Sequence, residues 1–459
     1  MSMSEKLYHF WARKPRKTMH PAKLIALVFV LIVFLGAALL MLPAASREGI
    51  SCGFLPALFT ATSATCVTGL SLFDTYSQWS GFGQVVILLL IQLGGLGFMS
   101  IASLVVFMFH RRVGLKERMV IAQALSVNDL DAAVQIQKTV LIGSFSIEAV
   151  GATILMLRFL PEYGFLQALK WGIFHAVSAF CNAGFDIFGS LQPGSSLAVF
   201  QSDPVVLLTI SALVIIGGLG FLVWEESIRT RSFKRYSVYT KLVLISTAVL
   251  LLGGAVVFAL LEWNNPNTLG VMSWDDKLLN SFFQSVTVRT AGFASFDQAG
   301  LSEGGKGFTM VLMLIGGSSG STAGGVKTVT VMVLMLFLWS RLRGRGTVTV
   351  FKRTIPASQV LDAMTLVGIM VFLSVFGGVF ISATSGTGLA DSLYEAVSAL
   401  ATVGLTAGTT GQLSIESQLL IILYMYFGRV GVLTLSLGFL MGNRAQERLR
   451  YAQTNLMIG

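Results

Sequence analysis

The sequence predicts an all-α membrane protein, with eight transmembrane helices and four shorter re-entrant helices in four M1–P–M2 repeats of pseudo-fourfold symmetry about one axis. Three observations predict it. Hydrophobic residues make up 54% of the 459-residue chain and charged residues only 12%, more apolar surface than a soluble core can bury. Eight long apolar runs stand in pairs, each pair enclosing a shorter run. A glycine just past each shorter run recurs at a nearly constant period.

The long runs are 24–42, 82–109, 139–157, 205–224, 242–261, 308–338, 360–381 and 418–440, each able to cross roughly 30 Å of hydrocarbon. The first follows the basic Lys14-Pro-Arg-Lys17 and precedes Pro43-Ala-Ala-Ser46, as a signal peptide would. It is longer than a signal core, which makes it a retained helix. The shorter runs, 54–66, 166–181, 274–288 and 391–401, cannot span and are too apolar for free loops. Ser273-Trp-Asp-Asp276 and Ser392-Leu-Tyr-Glu395 read as capping boxes that start two of them on the outer side. The resulting units are an N-terminal segment 1–23, repeat 1 at 24–118, repeat 2 at 119–241, repeat 3 at 242–353, repeat 4 at 354–441 and a C-terminal tail 442–459.

Charge sets the orientation. The net charge of +10 comes from Lys and Arg clustered in alternate connections, among them Lys14 to Lys23, Arg111 to Arg118, Arg229 to Lys241 and Arg341 to Arg353. Arg47, Lys170, Lys277 and Lys306 are scattered exceptions on the opposite side. This bias places both termini in the cytoplasm and argues for membrane orientation rather than nucleic-acid binding. Cys52, Cys66 and Cys181 lack the number and spacing of a disulfide framework or a zinc site.

The repeat is visible in four strings: Ser63-Ala-Thr-Cys-Val-Thr-Gly69-Leu70, Ser178-Ala-Phe-Cys-Asn-Ala-Gly184-Phe185, Val286-Thr-Val-Arg-Thr-Ala-Gly292-Phe293 and Ser398-Ala-Leu-Ala-Thr-Val-Gly404-Leu405. Their glycines are 115, 108 and 112 residues apart, which points to four copies of one unit. Copies that all run from inside to inside are related by rotation about the membrane normal, so four of them surround one pore. Each short helix would aim its negative C-terminal end at the membrane centre, and its glycine would let the chain turn back outward. Irregular backbone at that depth must line a water-filled path. Carbonyl rings replace the water around a dehydrated alkali ion. The lining positions are Val67, Thr68 and Gly69; Asn182, Ala183 and Gly184; Thr290, Ala291 and Gly292; and Thr402, Val403 and Gly404. None is a carboxylate, which argues against a divalent ion.

The sixth long run is broken by Gly316, Gly317, Ser318, Ser319, Gly320, Ser321, Thr322, Ala323, Gly324 and Gly325, a run too costly in glycine for a continuous helix. A loop at membrane depth is expected, in the cavity beneath the filter. Lys327 follows it, and Arg429 lies in the equivalent last span. Intramembrane charges are functional candidates: Arg429 is expected to face the pore and restrain the loop or repel idle cations, with a structural ion pair as the alternative. Lys327 either serves the same region or snorkels to the inner surface. Gly94-Gly-Leu-Gly97 and Gly217-Gly-Leu-Gly220 read as close packing rather than bending. Arg289 is expected to fix nearby backbone and His175 to be packed on its short helix. Glu148, near the middle of the third span, is expected to have a buried pairing role rather than to coordinate the ion, with no partner identifiable. Gly320 to Thr328 resembles a P-loop, but Val326 separates the glycines from Lys327 and no strand precedes it.

These strings, with Gly316 to Thr328, resemble the Trk/Ktr/HKT superfamily of K⁺ transporters, most of all the KtrB-type membrane subunits of bacterial Ktr uptake systems. The resemblance implies a channel-like K⁺ uptake protein of the bacterial inner membrane, with K⁺ held at the four single-glycine filter loops and 316–325 as an intramembrane gating loop. It further implies a homodimer on a cytoplasmic KtrA-like ring that binds ATP and ADP, with no cofactor on this chain and Na⁺ as a candidate activator. The basic loops at 111–118 and 229–241 are candidate docking surfaces, or topology determinants alone. A cation-coupled symporter is the rival reading, disfavoured by repeats that all run in one direction. The residues offer no nucleophile with a base and no metal cluster, so an enzyme is not expected.

Overall fold

The computed structural model describes residues 21–97, 130–230 and 232–431. The C-terminal parts of the runs 82–109 and 418–440, the basic residues Arg111 to Arg118 and both chain ends lie outside the described residues. The helices fall into four triplets. The first is α1 (Pro21–Leu40), α2 (Phe54–Thr65) and α3 (Gly81–Leu96); the second is α4 (Leu130–Tyr163), α5 (Phe165–Phe180) and α6 (Pro204–Leu219), followed by α7 (Phe221–Thr230). The third is α8 (Val238–Glu262), α9 (Trp274–Thr287) and α10 (Glu303–Leu314), followed by α11 (Thr328–Leu342); the fourth is α12 (Ala357–Ser385), α13 (Leu389–Leu400) and α14 (Ile415–Val430).

Within each triplet the first helix lies along the short one, and α3, α6 and α14 return beside it. Leu, Phe, Val and Ile side chains of α1, α4, α8 and α12 stand exposed around the outside, as lipid-facing surfaces do. The short helices are buried: Ala57, Phe59, Trp171, Phe180, Phe283 and Tyr394 are almost completely enclosed. Among the described residues, Thr139–Tyr163, Val238–Glu262 and Ala357–Ser385 are long and apolar enough to cross a membrane. The pair α6 and α7 adds a fourth such span, bent by 93°.

That bend corrects the reading of Gly217-Gly-Leu-Gly220 as close packing rather than bending. Gly97, Gly220 and Gly431 have φ of 78°, 94° and 89°, a left-handed backbone that stops α3, α6 and α14. Three residues earlier, Gly94, Gly217 and Gly428 lie against the last carbonyls of the short helices, those of Thr65, Phe180 and Leu400. In repeat 2 the glycines therefore serve both packing and bending. Repeat 3 departs from the pattern, because residues 315–327 form no helix between α10 and α11.

A two-stranded antiparallel hairpin, β1 (Val348–Val350) with β2 (Arg353–Ile355), follows α11. Phe351 and Lys352 turn it at φ of 45° and 61°, the left-handed pair that a two-residue hairpin needs. Of the expected capping boxes, Ser273 does accept from the Asp276 N–H at 3.4 Å. Ser392 does not cap: α13 starts one turn earlier after Gly388, and the Ser392 hydroxyl donates back to the Gly388 carbonyl at 2.8 Å.

Packing at Gly217 leaves no room for a methyl group on the Phe180 carbonyl. Gly217→Ala should destabilise the protein by about 1–3 kcal/mol, read as a lower thermal midpoint of the detergent-solubilised chain. Gly253→Ala, in the middle of α8 with open space around it, is the control and should hold or raise the midpoint.

Candidate functional site

The ends of the four short helices meet. In each following loop the backbone is left-handed at two places, first at Val67, Asn182, Thr290 and Thr402, with φ of 56°, 59°, 69° and 52°, and again at Gly69, Gly184, Gly292 and Gly404. A side chain on any of these four glycines would collide with a carbonyl of another loop. Gly69 abuts the Ala183 carbonyl, Gly184 that of Ala291, Gly292 that of Val403 and Gly404 that of Thr68. The contacts run from repeat 1 to 2 to 3 to 4 and back to 1, so the loops close into one ring.

Hydrogen bonds hold each loop to its helix. The N–H groups of Thr68, Ala183 and Val403 donate to the carbonyls of Ser63, Ser178 and Ser398 at 2.7–2.8 Å. The hydroxyls of Ser63 and Ser398 accept the N–H of Gly69 and Gly404 at 3.1 Å, while that of Ser178 donates to the Phe185 carbonyl at 2.7 Å. Repeat 3 has Val286 at this place, and Thr287 supplies the hydroxyl instead, donating to the Phe293 carbonyl at 2.6 Å. A serine six residues before three of the four glycines was the sequence signal for this brace. Outside the ring, Glu395 is fully buried and accepts from the hydroxyls of Thr406, Thr409 and Thr410, so it holds the fourth loop in shape.

Residues 315–327 cross beneath the ring. The Thr322 hydroxyl donates to the Phe180 carbonyl at 3.1 Å, and Gly324 lies against Thr402. Arg289 donates to the Gly316 carbonyl at 3.4 Å, so the backbone it fixes belongs to this loop. The N–H groups of Ser318 and Thr322 donate to the carbonyls of Gly218 and Gly217, and the Tyr239 hydroxyl donates to the Ser319 carbonyl at 2.8 Å. Arg429 spans the remaining side: Nη1 donates to the Thr322 carbonyl, and Nη2 to those of Gly94 and Gly95, the last at 2.9 Å. Lys327 turns back into the loop, donating to the Ala323 carbonyl at 2.7 Å, rather than out to the membrane surface.

Comparison with known proteins assigns this architecture. The family model described as "TrkH: Cation transport protein" matches residues 3–447. The chain belongs to the TrkH family. It is 39% identical to the potassium/sodium uptake protein NtpJ of Enterococcus hirae, over 97% of this chain and 99% of that one. It is 40% identical to the Ktr system potassium uptake protein B of Bacillus subtilis, over 96% and 97% of the two chains. The crystal structure of the potassium transporter TrkH from Vibrio parahaemolyticus shares the fold, with a TM-score of 0.72 at 17% identity over 93% of this chain and 86% of that one. As a TrkH-family member the chain is a multi-pass membrane protein for cation transport, not an enzyme.

Other candidates in this TrkH-family chain have structural partners. Glu148 accepts from Gln92 Nε2 at 3.0 and 3.1 Å. His175 Nδ1 lies 2.7 Å from the Trp171 carbonyl, its Nε2 accepts the Ile187 N–H, and its ring stacks on Phe188. Lys306 is paired with Asp391 at 2.7 Å. Among the described residues no three His, Cys, Asp or Glu side chains group to hold a metal ion.

Above the ring opens a vestibule of about 570 Å³ whose floor is the four glycines. Asp74, Asp186 and Asp297 line it and, among the described residues, no Lys or Arg does, which concentrates cations at the mouth. Asp74 is held by the N–H groups of Ser77 and Gly194. Burial, reinforced by the Asp74 carboxylate, pushes the Asp186 carboxyl up to about 7, against the Phe188 N–H that favours its charged form. Asp186 is therefore charged above that pH and neutral below it. Cation uptake into proteoliposomes should fall as the outer pH drops from 8 to 6, and Asp186→Asn should flatten that dependence at the lower rate. A pH profile identical in the two proteins would remove Asp186 from the entry path.

Proposed function

We propose that this chain is the ion-translocating subunit of a K⁺ uptake system, a channel-like path in which the carbonyls around Gly69, Gly184, Gly292 and Gly404 replace the water of a K⁺ ion. The closed ring of four left-handed loops carries this reading. Each short helix ends at the ring, where its unpaired carbonyls favour a cation, and backbone oxygens without a carboxylate suit an alkali ion rather than a divalent one. The potassium uptake named for the relatives agrees with it, and the potassium/sodium name of one makes Na⁺ the competing or activating ion.

In this reading eight helices cross the inner membrane, the four short ones enter from outside and stop at the ring, and both termini are cytoplasmic. The second helices of repeats 2 and 3 cross with a break at Gly220 and 315–327. The partner is a second copy of the chain, and the pair sits on a cytoplasmic nucleotide-binding ring that carries ATP or ADP. The loop 315–327 is the gate: it lies across the path under the ring, and Arg429 holds it there while adding a positive charge that opposes an idle cation.

Two experiments test the filter and the gate. Changing Gly69, Gly184, Gly292 and Gly404 singly to Ser should weaken the preference for K⁺ in ⁸⁶Rb⁺ uptake with competing K⁺ or Na⁺, since the new side chain displaces a carbonyl of another loop. Four variants with the parent's preference would refute the filter. Arg429→Gln should raise ⁸⁶Rb⁺ flux by about tenfold, the scale of one lost hydrogen bond to a charged group. Unchanged or lower flux counts against the restraint.

A further inference from the structure

Behind the loop, on the outside of the bundle, α11 and α12 enclose a groove of about 280 Å³ lined by apolar residues throughout. Its inner end is built by Ile315 and Val326, where the two limbs of the loop meet in a short parallel bridge. Gly316 N–H donates to the Val326 carbonyl, and Val326 N–H to that of Leu314. One wall is the stripe Val331, Leu334 and Leu338 on α11, and Val371 stands on the other. The same helical stripe continues one turn further to Arg341.

What lies at that end decides the occupant. Arg341 sits over the Phe337 ring at 5.3 Å and Arg343 over that of Trp339 at 4.5 Å, with Trp339 57% exposed. Arginine and tryptophan together mark a membrane–water boundary. Arg345, exposed just before the hairpin, and Lys352 and Arg353, exposed on it, follow, and the sequence has no Asp or Glu between Glu303 and Asp362. An apolar groove that opens on positive charge with no ion pair among the described residues matches a molecule with a hydrocarbon tail and an anionic head.

We propose that this groove is a site for an anionic phospholipid, its acyl chain lying between α11 and α12 against both limbs of the 315–326 loop and its phosphate meeting Arg341 and Arg343. The lipid then packs on the two points from which the loop hangs, and its presence changes how readily the loop leaves the path. That consequence rests on the gating reading above; the site itself does not.

The full chain in nanodiscs tests it by fluorescence. The Trp339 contribution is isolated by difference against Trp339→Phe, and quenching is measured with brominated phosphatidylglycerol in phosphatidylcholine, then with the bromine moved to phosphatidylcholine at the same composition. Phosphatidylglycerol should be preferred about fivefold for each arginine engaged, the scale of one basic side chain at an anionic surface. The preference should vanish in Arg341→Gln/Arg343→Gln and shrink in Val371→Phe, which fills the groove. Equal quenching by the two lipids, or a preference that survives the arginine changes, overturns the site. A Val371→Phe chain that loses a dimer while keeping its lipid preference gives the groove to a second copy and also overturns it. Quenching requires no ion flux, so a failed lipid site and a failed gate are told apart by this result and the Arg429 result.

Discussion

Everything in this fold depends on holding strained, non-helical backbone at the inner ends of four buried half-length helices. Left-handed conformation costs about 1–2 kcal/mol for an ordinary residue and is most unfavourable for a β-branched one. Three of the four non-glycine residues that adopt it in the ring, Val67, Thr290 and Thr402, are β-branched. Such strain persists only where surroundings over-determine it. Here the next N–H is bonded into the last turn of the helix, a hydroxyl braces the loop, and another loop's carbonyl sits where a glycine Cβ would be. The ring is therefore built from conformations that no single repeat could hold alone.

The breaks in the second helices follow from the same demand. A helix that stops leaves its last four carbonyls without partners, and in lipid each must be satisfied from within the protein. The carbonyls of Gly94 and Gly95 at the end of α3 accept from Arg429, and those of Gly217 and Gly218 at the end of α6 accept from Thr322 and Ser318 of the loop. The loop in turn supplies the Gly320 carbonyl to Phe221 N–H, the first residue after the bend. Breaking one repeat and unwinding another are complementary: the orphaned groups of each are the partners of the other.

How much of this was legible in the sequence depends on the signal each feature left. The four ring glycines stood out because their spacing repeats over more than a hundred residues, and the loop because ten consecutive small residues have no helical alternative. The bend at Gly220 and the helix stop at Gly97 were hidden: Gly-Gly-Leu-Gly fits tight packing and helix termination equally, and only φ separates them. Ser392 misled because a capping box is read from spacing, while Glu395 found three threonines beyond the filter that no local pattern announces. The reach of Arg289 to Gly316 was equally invisible, since it joins residues on different elements through the fold.

Arg429 shows what breaking the symmetry accomplishes. Counting back from Gly97, Gly220 and Gly431, the places two residues earlier are Gly95, Gly218 and Arg429. In repeat 1 the glycine packs tightly against Cys181 and in repeat 2 it leaves room beside Asn182, while repeat 4 places a guanidinium there. A lysine would bring one compact charge, whereas the planar fork of arginine can address several carbonyls at once, here from two other repeats. The hydrogen bonds of Arg429 tie the loop to the end of α3, and in the proposed filter and gate its charge opposes ion passage electrostatically. On that proposal a single departure from the repeat joins the steric and the electrostatic obstacle, and whatever moves the loop must also release the arginine from the Thr322 carbonyl.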